Sequence, residues 1–411
     1  MRSHKEFVEE ALRSYEELPL ETNEIYKKYT VHVPLDPEPA QADINLAEKE
    51  MEELSKEISA KTRIKFDAVI SEHAVKSFNA RLRIMGKDDV DMVLLEGKMF
   101  KSGDDKLAAF ANASSVRFVS IEGREGETMK LNLLFIGHRR LPVQVMINAP
   151  KGARIEVFEM FASGRDGGGL VSALHEVNAA EGAEVELDAL HNEGEGFGVI
   201  NLCKAVAGNN SRINANFVYS GGQVTKTRSQ MDSAGSNSVV DVCEFALGSK
   251  DQKFDLGAHM ANTKPKSQAY LESGAVLTGT SRCMLKGFAK VENGTKGCVS
   301  RITQRGILLS KDAHIDALPD MAIDYSNEVK ATHSAATAPI DREALFYLES
   351  RGLDEKAARK TFITAFMAKY ISKMSNGIAG EVAMSVMLDK LESGSIGNLP
   401  EVSTSGVWTT W

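Results

Sequence analysis

The chain has 411 residues, of which 43% are hydrophobic and 26% charged, a composition typical of a soluble globular protein. Its formal net charge of −8 offers no basic surplus for a phosphate backbone, which argues against nucleic acid as a partner. Apolar runs such as 131–136 are too short to span a bilayer, and the charged N-terminus resembles no secretory signal. We therefore expect a cytoplasmic protein that binds neither nucleic acid nor membrane.

Four cysteines are scattered between residues 203 and 298, and none belongs to a C-x-x-C pair. They are too few and too widely spaced for a disulfide framework. The absence of paired cysteines also argues against a zinc ribbon or a ferredoxin-type cluster motif. The cysteines are Cys203, Cys243, Cys283 and Cys298.

The first region, residues 1–76, is predicted to be helical because apolar residues recur there at helical spacing. Three prolines in the stretch 31–39 indicate an extended connector between two helices. The residues that carry the helical pattern are Phe7, Val8, Ala11, Leu12 and Tyr15, then Ile44, Leu46, Met51, Leu54 and Ile58.

A second region, residues 77–335, has the alternating pattern of short strands, each introduced by a polar turn. Four of these turns end at residues 153, 183, 211 and 237, which gives spacings of 30, 28 and 26 residues. The next turn ends at residue 297, 60 residues later, which leaves room for two more units. A loose repeat without helices favours a β-solenoid, and a β-sandwich is the main alternative.

Residues 336–402 return to helices with clear boundaries. Asp341 is predicted as an N-cap, with Ile340 and Leu345 placed to form a hydrophobic staple, and Gly352 as the C′ residue. Asp354 is predicted to start a second helix that ends at Gly377. The segment 403–411, which holds both tryptophans, is interpreted as a flexible or artificial tail.

One stretch of this C-terminal region resembles a known family. The run Ala331-Thr332-His333-Ser334-Ala335-Ala336-Thr337 is followed by Ile340-Asp341 and by Leu345-Phe346-Tyr347-Leu348-Glu349-Ser350-Arg351-Gly352-Leu353. These elements resemble the signature end of the SufB/SufD family of iron–sulfur cluster assembly subunits. The resemblance covers about thirty residues closely, and the layout of the rest of the chain agrees with it more weakly.

The resemblance implies a mainly β fold, with a right-handed parallel β-helix between helical N- and C-terminal regions. It implies a scaffold rather than an enzyme, with ATP hydrolysis in a partner, a SufC-like ABC-type ATPase. The ATPase interface would include Leu345, Phe346, Tyr347 and Arg351. Two subunits would pair through their β-helices, as a homodimer or as a SufB/SufD-type heterodimer, and would pass a transiently bound iron–sulfur cluster to apo iron–sulfur proteins.

Two departures from SufB concern sulfur. The resemblance aligns Val185 with the SufB cysteine that accepts persulfide, and Thr303-Gln304 is followed by Arg305 where SufB has a second cysteine. The chain is therefore either a divergent, homodimeric SufB-like scaffold, which we favour, or a SufD-like non-scaffold subunit. Because transfer of persulfide sulfur requires a nucleophilic thiolate, we expect a cluster here to draw on sulfide or on thiols elsewhere.

Cluster ligands remain available among other residues. His333 matches the family histidine at the dimer interface, and Asp316, Cys298 and Cys283 are further candidates, since imidazole, thiolate and carboxylate can all hold iron. An isolated cysteine in a strand can equally be a small buried apolar residue.

Two other functional classes fit the pattern less well. A carbohydrate-active β-helix enzyme would need paired carboxylates and an aromatic groove, whereas aromatic residues make up 7% of the chain. A purely structural interaction protein would form no cluster, so anaerobic incubation with iron and sulfide would distinguish it from a scaffold.

Overall fold

A computed structural model describes residues 4–19, 44–86, 106–163, 168–325 and 327–394. Within these residues, nineteen strands form two sheets, one of ten strands and one of nine, and from residue 117 onward successive strands alternate between the two sheets. Apart from two antiparallel pairs at the N-terminal end, all neighbouring strands are parallel. This is a parallel β-solenoid of two-strand coils, as predicted, and not a β-sandwich.

The ten-stranded sheet contains β1 (Ala68–Ser71), β2 (Val75–Ser77), β5 (Thr128–Gly137), β7 (Arg154–Ser163), β9 (Glu184–Asn192), β11 (Arg212–Tyr219), β13 (Val239–Gly248), β15 (Gln268–Leu277), β17 (Val299–Leu308) and β19 (Lys330–Pro339). The nine-stranded sheet contains β3 (Leu82–Gly86), β4 (Arg117–Glu122), β6 (Arg140–Ala149), β8 (Gly169–Ala179), β10 (Phe197–Ala207), β12 (Val224–Ser233), β14 (Lys253–Asn262), β16 (Arg282–Val291) and β18 (His314–Ile323). The helices are α1 (His4–Glu17), α2 (Ile44–Thr62), α3 (Lys106–Ser114), α4 (Arg342–Ser350), α5 (Glu355–Ile371) and α6 (Gly377–Ser393).

The turns that mark the repeat in the sequence are stacked along one edge of the solenoid. Each contains a residue with positive φ. In the first four turns, the amide of that residue donates to a carbonyl of the next coil, as Gly152 does to Glu181 at 3.0 Å. Within the 60-residue gap in the sequence pattern, the turn on this edge lies at Lys266, which has a φ of 58° and whose amide donates to the carbonyl of Lys296 at 2.9 Å. The gap therefore contains two coils, as the spacing predicted, and its middle turn was hidden because neither glycine nor asparagine occupies it.

Among the described residues, four apolar layers hold the fold together, and the smallest packs α1 against β3, β4 and β6. The largest lies inside the solenoid, where side chains from successive coils stack in register. A second lies between the outer face of the ten-stranded sheet and helices α2, α5 and α6. A third packs α3 against β8 and β10 of the nine-stranded sheet. Strands buried on both faces explain why runs such as Leu131–Ile136 lack strict alternation.

Three predictions about the positions of strands and helices were wrong. The strands start at Ala68, before residue 77, and α3 lies inside the stretch that was predicted to be almost free of helix. The second C-terminal helix ends at Ile371, so the prediction that it reaches Gly377 was wrong. Asn376 caps a further helix there, with its side chain accepting from the Ile378 amide at 3.1 Å. The predicted connector at 31–39 and the tail at 403–411 lie outside the described residues.

The caps of the C-terminal helices are as predicted. Asp341 accepts from the amide of Glu343 at 3.0 Å, and Asp354 accepts from the amide of Ala357 at 2.8 Å. Gly352 has a φ of 97°, the left-handed conformation that a C′ residue adopts at the end of a helix.

Polar contacts attach α5 and α6 to the outer face of the solenoid. Asp188 on β9 is buried, and its Oδ2 accepts from the amide and hydroxyl of Ser375 at 2.8 and 3.0 Å. Lys373 pairs with Asp241 on β13 at 3.2 Å and with Glu272 on β15 at 3.1 Å. Lys369 also pairs with Glu272. Burial alone would raise the pKa of Glu272, but these two lysines hold it below its ordinary value.

Candidate cluster site and partner surfaces

The last coil of the solenoid, formed by β18 and β19, differs from the coils before it in exposure. No residue of β19 is buried, and Ile315 is the one buried residue of β18. These two strands end their sheets, so within the described residues each pairs with a single neighbour. The free edges offer unpaired backbone groups to another chain.

His333 occupies a distinctive position in this coil. It lies in register with Ile302 on β17, which lies in register with Leu271 on β15. The same column continues to β5 through apolar residues, all of them buried: Val242, Ala215, Leu187, Val157 and Leu131. Only the last coil replaces the apolar residue with an imidazole, and there the side chain is exposed.

The two candidate cysteines are sealed inside the protein. Cys283 on β16 is 2% exposed, and burial raises the pKa of its thiol well above the ordinary value, as do the nearby carboxylates. The Sγ of Cys298 donates to the carbonyl of Lys264 and contacts the hydroxyl of Ser267, each at 3.2 Å. Since the thiolate is the metal ligand, neither cysteine is ready to bind iron in this conformation.

Asp316 lies on the opposite side of its sheet from Cys283. Cys283 is in register with Ile315, which points into the core, so the next residue, Asp316, faces outward. Its carboxylate is 3.0 Å from Nε2 of His314. In the described part of the chain, no three histidine, cysteine or acidic side chains are grouped so that they could hold a metal. The four candidates are therefore not brought together within one subunit.

The two residues that the resemblance aligns with the sulfur-handling cysteines of SufB lie on two strands of the ten-stranded sheet. Val185 is fully buried in the interior of the solenoid. Arg305 is partly buried on β17, and its Nη1 donates to the carbonyl of Gln304 at 3.2 Å. Its charge opposes the rise that burial causes in the pKa of Tyr370 on α5.

Sequence reasoning missed a set of ionisable groups inside the solenoid. His175 lies 2.6 Å from Glu159, and His191 lies 2.7 Å from Glu193, with all four side chains fully buried. The ring of Phe161 stacks on His191 at 4.3 Å, so the two pairs remain separate. The sequence offered a signal in the closeness of His191 and Glu193, but the partner of His175 comes from the preceding coil.

Glu244 is a further internal carboxylate that the sequence did not single out. Burial raises its pKa to about 7, although Thr227 donates a hydrogen bond to its Oε1 at 2.9 Å. Its other oxygen, Oε2, is buried without a hydrogen-bond partner among the described residues. A carboxyl group in this setting favours its protonated, neutral form.

Helix α4, directly after the last coil, divides the predicted ATPase-facing residues between two faces. Leu345 is 7% exposed and packs into the layer beneath the C-terminal helices, so it is not available to a partner. Phe346 and Tyr347 are 71% and 57% exposed. The Arg351 guanidinium lies 5.2 Å from the centre of the Tyr347 ring and donates to its hydroxyl at 3.3 Å. The solvent-facing side thus carries two aromatic rings and one ordered cation.

A parallel β-solenoid with an exposed last coil and with helices at both ends places the chain in the class of β-solenoid proteins. Comparison with known proteins then identifies the family. The family model described as "SUF system FeS cluster assembly, SufBD core domain" matches residues 137–366, more than half of the chain. The chain belongs to the SufBD family of the SUF iron–sulfur cluster assembly system.

Individual relatives agree with this assignment. A chloroplastic SufBD family protein of Arabidopsis thaliana is 27% identical over 62% of this chain and 47% of its own length. The iron–sulfur cluster assembly protein SufD of Escherichia coli is 25% identical over 54% of this chain and 52% of its own. A SufBD family protein of Pyrococcus horikoshii is 27% identical over 66% and 61%. The chain thus spans about half to three fifths of the curated relatives it matches.

Among the described residues, no helix is both long and apolar enough to cross a bilayer.

Proposed function

We propose that this chain is a scaffold subunit on which an iron–sulfur cluster is assembled, working in complex with a SufC-like ABC-type ATPase. The observation that carries the proposal is the exposed histidine at the end of an otherwise apolar column, in a chain of the SufBD family. The chain itself would be a scaffold and not an enzyme, and the ATPase would supply hydrolysis. The cluster is cargo, to be passed on to apo iron–sulfur proteins.

The cluster would be held where two subunits meet. A two-fold interface between two last coils uses the same patch twice, so it brings two His333 side chains toward one axis. Asp316 faces outward on the same coil and is a further oxygen ligand, whereas Cys283 and Cys298 would have to be exposed first. Incomplete thiolate ligation suits a scaffold, which has to release its cargo.

The test is anaerobic reconstitution with ferrous iron and sulfide, without a cysteine desulfurase. His333→Ala and His333→Leu both remove the imidazole, and the leucine variant also restores the apolar column, so that a loss of cluster cannot be ascribed to poor packing. We expect the charge-transfer absorption and the bound iron to be lost in both variants and to persist in Cys298→Ser and Cys283→Ser. Unaltered cluster content in the histidine variants contradicts the site, and an absolute need for desulfurase-delivered persulfide contradicts the sulfide route.

The ATPase would bind the solvent-facing side of α4. Replacing Phe346 and Tyr347 with aspartate would place charge in an apolar contact, which costs several kcal/mol. We expect the double variant to lose co-purification with the ATPase. Ile378→Asp is the matched control, because Ile378 is an apolar residue that is 50% exposed on α6 and not on α4. Retention of the ATPase by the double variant at wild-type stoichiometry would mean that α4 is not the docking helix.

A SufD-like role as a non-scaffold partner subunit is the second candidate. It is favoured by Val185 and Arg305, which replace the sulfur-handling cysteines expected of SufB. Under this alternative the chain alone forms no cluster, and a heterodimer with a SufB-type subunit forms one that does not depend on cysteines of this chain.

A further inference from the structure

A groove at the N-terminal end of the solenoid, far along the chain from the last coil and α4, has the properties of a peptide-binding surface. It lies between α2 and the β1–β2 hairpin. Its floor includes Ile64, Phe66 and Val69, which are 4–5% exposed and belong to the apolar layer beneath α2. Phe78 forms one wall and is 70% exposed. A phenylalanine ring so exposed beside an apolar floor indicates a surface that a partner covers.

The rim of the groove is basic, in contrast with the net charge of −8 of the whole chain. Lys56 and Lys76 share one carboxylate, that of Glu52, at 3.0 and 3.2 Å. These two hydrogen-bonded lysines lower the pKa of Glu52. Arg63 and Lys65, also on the rim, are exposed and have no ion-pair partner among the described residues. The lining of the groove therefore contains four basic side chains and one carboxylate, which gives a local excess of three positive charges.

The backbone at Arg63 supports a role for this rim. Arg63 follows the last residue of α2 and has a φ of 59°, the left-handed conformation that glycine adopts at lower cost. The position that usually ends a helix with glycine instead carries a guanidinium at the edge of the groove. Such strain is kept only where the surrounding structure holds it in place.

We infer that this groove binds an acidic segment of a partner protein, one with an aromatic or aliphatic side chain that packs against Phe78. The basic rim supplies charge complementarity and speeds the encounter, while the apolar floor supplies the anchor. A peptide fits the site better than a nucleic acid, because the rim is a short arc around an apolar floor and not a track of cations along a backbone. This inference does not depend on the proposed cluster site or on the ATPase.

The experiment is fluorescence anisotropy on the full chain with a labelled glutamate-rich probe peptide of about twelve residues that contains one phenylalanine and one leucine. One comparison peptide carries glutamine in place of glutamate, and another carries serine in place of the two apolar residues. We expect the glutamine peptide to bind about ten-fold more weakly, and the affinity for the acidic peptide to fall several-fold between about 0.05 and about 0.3 M salt.

Variants locate the binding. We expect Arg63→Glu combined with Lys65→Glu to weaken the acidic peptide at least about ten-fold, Lys65→Glu alone to weaken it less, and Phe78→Ser to weaken it about five-fold. Lys311→Glu is the matched control, because Lys311 is equally exposed and without an ion-pair partner among the described residues, but lies on the turn between β17 and β18. Circular dichroism and thermal unfolding verify that each variant is folded.

Four outcomes would overturn the inference. They are equal affinity for the acidic and glutamine peptides, unchanged affinity in the Lys65→Glu and Phe78→Ser variants, equal affinity for a single-stranded oligonucleotide, and concentration-dependent self-association that Phe78→Ser abolishes. The last result would assign the groove to a second copy of this chain.

Discussion

The inner coils of the solenoid, which have a neighbouring coil on each side, and the last coil share the same strand geometry and register. They differ in what their side chains contact. One column runs from Leu131 on β5 to Ile302 on β17 through buried apolar residues, and its final position is the exposed His333. A stacked repeat stabilises each unit through its neighbours, so the last unit has one free side. The difference indicates that the last coil contributes least to the stability of the stack.

The first prediction, with the largest expected effect, compares the loss of stability at two positions of the column that ends at His333. Leu271→Ala on β15 removes three carbon atoms from a side chain that is 1% exposed, and we expect it to lower the free energy of unfolding by about 2–5 kcal/mol. His333→Ala on β19 should change it by less than about 0.5 kcal/mol, because the imidazole is exposed. Urea denaturation followed by circular dichroism measures both. Similar losses in the two variants would show that the last coil is packed like the others.

The second prediction concerns the buried interior, where water cannot solvate a charge. The pKa of Glu244 is about 7 in the folded chain, against an ordinary value of 4.5. The folded state therefore binds more protons than the unfolded state between these pH values, so stability falls as pH rises from about 4.5 to 7. Glu244→Gln removes the ionisable group and should stabilise the protein at pH 8 by up to about 3 kcal/mol, with little effect at pH 4.

Urea unfolding of wild type and Glu244→Gln across this pH range measures the effect. Glu186 contributes in the same direction, because burial raises its pKa to about 7 as well. We therefore expect a smaller pH dependence to remain in the variant. If wild type and variant keep the same stability difference at pH 4 and pH 8, Glu244 does not titrate in this range.

The smallest expected effect concerns the turns that stack along one edge of the solenoid. Lys266 has a φ of 58° at the position where Gly152 and Gly182 stand in earlier coils. Lys266→Gly relieves the left-handed strain but adds flexibility to the unfolded chain, so we expect a net gain of up to about 1 kcal/mol. Thermal unfolding measures it. Lys264→Gly, at an exposed position two residues earlier without positive φ, is the control and should be neutral or slightly destabilising.

The fold was largely predictable from the sequence because most turns of the repeat contain glycine or asparagine. The turns predicted to end at residues 153, 183, 211 and 237 are each followed within two residues by a strand, β7, β9, β11 and β13. The turn at Lys266 was not recognised in the sequence, because a lysine there adopts the positive φ that glycine or asparagine usually provides. The neighbouring coils hold its backbone in this conformation. Strand β1 was assigned to a helical region, since four residues buried on one short strand give no periodic signal.

The candidate site was less predictable, because its residues are distant in the sequence and their faces depend on register. Alternation correctly gave Asp316 and His314 the same face, but it could not reveal that Cys283 points into the core. The resemblance of the α4 run placed Leu345 with Phe346 and Tyr347, and the helix turns these residues to different sides. Inside the solenoid, the pair of His175 and Glu159 forms between two coils, so no local pattern encodes it.

The attachment of the two C-terminal helices has a consequence for cooperativity. The contacts of the α5–α6 unit reach β9, β13 and β15, and Asp188 and Ser375 are joined across 187 residues of sequence. A bare stack of coils can fray one unit at a time, because each unit is tied only to its neighbours. Because the two helices connect several coils, we expect these coils to open as a single unit under force or during hydrogen exchange. The last coil lies outside the region that the helices contact through these bonds, so its amides should exchange first.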